Sequence, residues 1–140
     1  MNAWERQHAL ARTTAVWAAG SIAVGGILAT RQSPWWRAFG QQHIGWGAAD
    51  LGIVAVLDVV QARRRSKLAH PDGPRALERE QRRLRQVLWI NVVADAGYLL
   101  GGIVLWRHPK PQASGAGAAI AVQGAFLMLH DGYHALASTT

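Results

Sequence analysis

The sequence predicts an all-α fold, an integral membrane four-helix bundle with the N and C termini both cytoplasmic. Three observations predict it. Apolar residues gather in four stretches near the length that crosses a bilayer. No Lys or Arg interrupts any of them, and the basic residues concentrate in the connection between the second and third. A hydrocarbon core takes roughly 20 residues of helix to cross.

The first stretch is 13–30, TTAVWAAGSIAVGGILAT, which is uncharged. The second is 43–61, HIGWGAADLGIVAVLDVVQ. The third is 87–106, VLWINVVADAGYLLGGIVLW, and the fourth is 115–138, GAGAAIAVQGAFLMLHDGYHALAS. The last three carry Asp and His but no Lys or Arg. A water-soluble bundle would show a Lys- and Glu-rich stripe on each helix, and these segments have none. Nor do they alternate with the period of two that a barrel strand needs, so helices are expected to satisfy the backbone in hydrocarbon. The first stretch is read as a retained span rather than a signal peptide's apolar region, because no A-x-A cleavage site follows it. The glycines of the four stretches, Gly97-x-x-x-Gly101 in particular, are expected to let helix backbones approach closely.

Composition narrows the class further. At 50% apolar residues the chain is too hydrophobic for disorder, and with no cysteine it has neither a disulfide scaffold nor a Cys-ligated zinc site. The expected organisation is a single domain over 1–140. The 15 Lys and Arg outnumber eight Asp and Glu. Arg63, Arg64, Arg65, Lys67, Arg75, Arg79, Arg82, Arg83 and Arg85 all fall in a basic loop at 62–86. The connections on the other side hold Arg31 and Arg37, then Arg107 and Lys110. The positive-inside bias puts the middle loop, and with four spans both termini, in the cytoplasm. Trp35, Trp36 and Trp106 then mark the outer interface and Trp89 the inner one. Within the loop, HPDGP is a turn and Pro74 can open a helix that runs into the third span.

The polar residues inside the spans carry the functional expectation, because a carboxylate at membrane depth is costly unless paired, hydrated or protonated. Asp50 and Asp58 lie in the second span, Asn91, Asp95 and Tyr98 in the third, and Gln123, His130, Asp131 and His134 in the fourth. Their spacings place them on a stripe of each helix. Counting about 1.5 Å per residue puts Asp50, Gln123 and Tyr98 in an outer layer. Asp58, Asn91, His130 and Asp131 fall in an inner one, with Asp95 between. Asp50, Asn91, Asp95 and Asp131 are expected to line a ligand-binding cavity that Tyr98 and Gln123 orient, and the first span is expected to contribute packing alone. His130-x-x-x-His134 has a spacing that suits a divalent metal ion, with a carboxylate of Asp58, Asp95 or Asp131 to complete the shell.

The functional reading is a small membrane protein whose buried Asp/His/Asn cavity binds a small polar ligand, a proton or a metal ion. It would serve transport, sensing or ligand binding. The alternatives are a structural protein whose polar core only joins helices, and a metal-dependent intramembrane enzyme. Nothing matches nucleophilic catalysis, a phosphate loop or a dinucleotide fingerprint. The expected partners are the lipid bilayer, anionic headgroups at the basic loop, and further copies of the chain, rather than nucleic acid. The expected location is the bacterial inner membrane.

Overall fold

A computed structural model describes residues 1–138. Those residues form four helices: α1 Ala3–Ala29, α2 Pro34–Ser66, α3 Pro74–Trp106 and α4 Pro111–Ala137, with no strand among them. Proline opens α2, α3 and α4, where its missing N–H costs nothing and its fixed φ suits the first helical position. α1 opens instead on a capping box: the Asn2 side chain accepts from the Glu5 N–H, and the Glu5 carboxylate accepts from the Asn2 N–H. The helices α2, α3 and α4 are long and apolar enough to cross a membrane. α1 is borderline, because Arg6 and Arg12 occupy its first turns.

The helices are longer than the expected spans, which corrects the reading of 62–86 as a loop. α2 continues through Arg63, Arg64 and Arg65 to Ser66, and α3 starts at Pro74 and runs unbroken to Trp106, so the turn between them is only 67–73. Helix-favouring Arg, Glu and Leu carry both helices past the apolar segment.

The chain folds as two hairpins. α1 packs along α2, and α3 packs along α4. α2 and α4 join the hairpins, α1 and α3 meet over a short stretch, and α2 and α3 do not pack against each other. Bare backbone makes each hairpin tight. In the first, Gly25 lies against the carbonyl of Gly40, and Gly47 against that of Ala18. In the second, Gly117 lies on the backbone of Leu105 and Trp106, Gly102 on Ala121, and Gly124 on Leu99 and Asp95. Gly115 meets the backbone of Trp35 where α4 meets α2. Gly97 and Gly101, the pair expected to seat a helix, face outward with nothing within 4 Å of an added Cβ. α4 approaches the face of α3 that carries Asp95 and Gly102, and a rotation of one residue takes Gly101 off it.

The end that holds both termini is capped by side chains. Trp4 is 1% exposed and its indole N–H donates to the Pro71 carbonyl at 3.0 Å. Arg65 lies 5.7 Å over the same ring and pairs with Asp72 at 3.0 Å. Arg6 reaches the carbonyl of Ala137, and Gln81 that of Ser138. Removing the Trp4 side chain leaves a hole under the α2–α3 turn. Trp4→Ala is therefore expected to cost about 3 kcal/mol. Faster amide exchange across 67–73 than across the hairpin seams would be the sign in hydrogen-exchange mass spectrometry.

Candidate functional site

The polar residues of the bundle interior sit in two hydrogen-bonded layers. In the layer further from the termini, Gln123 of α4 is 1% exposed and spans two other helices. Its Nε2 donates to Asp50 Oδ2 of α2 at 2.6 Å, and its Oε1 accepts from the Trp17 indole of α1 at 2.8 Å. In the layer nearer the termini, Asp131 of α4 accepts from Asn91 Nδ2 of α3 at 3.0 Å and lies 3.0 Å from His130 Nδ1. These pairs are the ones that counting helix rise puts at equal depth. Asp95 of α3 is 5% exposed and lies between the layers, within electrostatic reach of Asp50, Asp131 and His130. Its Oδ2 and the Nε2 of His130 are buried without a hydrogen-bond partner. A buried polar atom left so costs about 1–3 kcal/mol.

A cavity of about 300 Å3 opens beside these residues on the side where α2 and α3 part. Its deep end carries Asp50, Asn91 and Asp131. Its walls are apolar: Leu10 of α1, Ile53, Val54 and Leu57 of α2, Leu84 and Leu88 of α3, and Leu127 of α4. Asp58 lies on the α2 wall. Gln7, Gln61, Arg64 and Arg83 stand at the end near the termini. Arg64 pairs there with Glu80 at 3.3 Å.

The first helix does more than pack. Trp17 hydrogen-bonds to Gln123 and stacks on Phe126 at 3.8 Å, with the rings 7° from parallel. Gln7, Leu10, Ala11 and Thr14 form one side of the cavity. No signal in the sequence separated Trp17 from the tryptophans that anchor at an interface.

Two other expectations change. Tyr98 is 45% exposed and meets Trp46 edge to face at 5.1 Å, away from Gln123. It closes the α2–α3 side near Trp46 and does not orient the carboxylates. Among the described residues, no group of three or more His, Asp or Glu is arranged to hold a metal ion. His130 and His134 meet edge to face at 4.9 Å, and His130 Nδ1 is taken by Asp131. Asp58 is exposed on the α2 wall of the cavity, which His130 does not line. The spacing that puts two imidazoles on one helical face here stacks rings above Phe126, which is itself stacked on His130 at 5.5 Å.

A protein-family model, a family of unknown function (DUF6992), matches residues 13–132, and the chain belongs to that family. The match takes in Trp17, Asp50, Asn91, Asp95, Gln123 and Asp131, together with every cavity wall apart from the first turns of α1. None of the curated proteins matches the chain, and none of the solved structures does.

Proposed function

We propose that this DUF6992 member is a ligand-binding protein of the bacterial inner membrane, with both termini cytoplasmic. Its cavity takes a small molecule with a polar head and an apolar body. One observation carries the reading: an apolar hollow of about 300 Å3 inside a membrane bundle ends on Asp50, Asn91 and Asp131. Small-molecule sites combine apolar walls with a few convergent polar groups in this manner, from roughly 300 Å3 upward. If the polar residues served only to join helices, each would be expected to find its partner within the bundle. Asp58 on the cavity wall takes no part in joining helices, and Asp50 and Asp131, although partnered in the bundle, also keep a face on the cavity.

The cavity lies in the half of the bundle that positive-inside bias assigns to the cytoplasmic leaflet. The arginines of α2 and α3 beyond it suit anionic headgroups, each worth about 1 kcal/mol near such a surface. A second copy of the chain is the further partner this reading expects, because a transport pathway is hard to enclose with four helices.

The test is thermal unfolding of the purified protein in detergent with three probes of one shape: benzyltrimethylammonium, benzoate and benzyl alcohol. At least one is expected to raise the melting temperature. Stabilisation should approach about 2.7 kcal/mol at a hundredfold excess over Kd. Val54→Trp fills the cavity from a half-buried wall and is expected to abolish the shift. No shift with any probe would leave these residues as helix joiners and would end the ligand reading.

A further inference from the structure

We propose that the cavity is a cation site, which takes a small organic cation with an apolar body and releases a proton in exchange. The inference rests on the cavity being a ligand site, and it adds the charge of the ligand and the ion that leaves.

Charge at the deep end is one-sided. Asp50 and Asp131 face the cavity, Asp58 stands on its wall, and Asp95 lies behind them. The positive groups lie elsewhere. Arg64 is tied to Glu80 at the end near the termini, Arg83 stands beside it, and Arg6 of α1 acts on His134 near the end of α4. His130 is the imidazole within reach, held to Asp131 through Nδ1. Several carboxylates this deep are tolerated only with protons or positive partners.

The hydrogen bonds divide the roles. Asp131 has a partner on each oxygen, Asn91 and His130. Asp50 accepts from Gln123 through Oδ2, and its Oδ1 has no donor among the described residues. Behind Asp131, the buried Asp95 Oδ2 and His130 Nε2 have no hydrogen-bond partner, so the bundle's own groups do not complete this polar cluster. A cation entering between Asp50 and Asp131 takes the place of the Asp50 proton as the neutralising charge, while its apolar body lies on Ile53, Leu57 and Leu84. At Asp50 the carboxylic O–H bond breaks, its electron pair stays on the oxygen, and the proton leaves to water by the end of the cavity near the termini. No covalent bond forms to the cation. Both occupants neutralise the same carboxyl, so each weakens the other's binding.

The test adds benzyltrimethylammonium to the detergent-solubilised protein in weak buffer with a pH-indicator dye. About one proton per cation bound is expected, with affinity tightening up to about tenfold per pH unit over the range in which the site is protonated. Asp50→Asn keeps an oxygen for Gln123 and is expected to abolish proton release and weaken binding more than tenfold. Asp50→Glu should retain release, which separates loss of the acid from loss of fold. Cation binding without proton release overturns the exchange. Binding of benzoate in preference to the cation overturns the cation class and leaves the ligand site standing. Binding of no probe overturns both.

Discussion

Gly117→Ala is expected to lower stability by about 3 kcal/mol, the upper range for forcing a methyl into a packed interface. The melting temperature in detergent should fall by roughly 10 °C. A Cβ at this position meets the backbone nitrogen of Trp106, the backbone carbon of Leu105 and the carbonyl oxygen of Gly102, all within 3 Å. These are main-chain atoms of a regular helix, so the neighbour cannot turn a side chain aside, and α3 and α4 must separate. Gly97→Ala and Gly101→Ala supply the contrast on the same hairpin. Neither Cβ meets anything within 4 Å, and Ala is a better helix former than Gly by about 1 kcal/mol. Those variants are expected to be neutral or slightly stabilising. Equal losses at Gly101 and Gly117 would show that the α3–α4 seam lies on the other face of α3.

Gln123→Leu is expected to cost about 3 kcal/mol, because it strands two partners at once. Leucine preserves much of the volume, so the loss comes from the Asp50 carboxyl and the Trp17 indole, both left without their hydrogen bonds. The sign of a network rather than of two independent contacts is non-additivity. Gln123→Leu combined with Asp50→Leu should cost less than the sum of the single changes, by about 1–2 kcal/mol. Chemical unfolding of the four proteins in one detergent closes the cycle. Additive losses would mean that Gln123 and Asp50 do not support each other.

Several features were legible in the sequence because hydrocarbon leaves the chain few choices. Apolar runs of span length without Lys or Arg had to be helices, and polar residues within them had to share a face. Constant helix rise was enough to pair Asp50 with Gln123 and Asn91 with Asp131. Rotation about the helix axis was harder to read. Gly101 and Gly102 are adjacent and chemically identical, and which one meets α4 depends on how α3 is turned. Tyr98 was misplaced for the same reason. It falls at the depth of Gln123 but points toward Trp46. Trp17 was invisible as a donor because an indole's partner can lie on any helix, here 106 residues away along the chain. The metal spacing failed on competition: His130-x-x-x-His134 is compatible with chelation, but Asp131 already holds one imidazole and an aromatic column occupies the face.

The distribution of bare-backbone seams has a mechanical consequence. Each hairpin is welded by glycines pressed onto main chain, so neither can widen internally without losing those contacts. The two are fastened to each other along α2 and α4 and, over a short stretch, between α1 and α3, whereas α2 and α3 meet only through a few side chains. The molecule is therefore built as two stiff leaves joined chiefly along one spine. Any breathing of the hollow between them resolves into a change of the angle at that spine, which has to part Trp46 from Tyr98, Arg64 from Glu80 and α1 from α3.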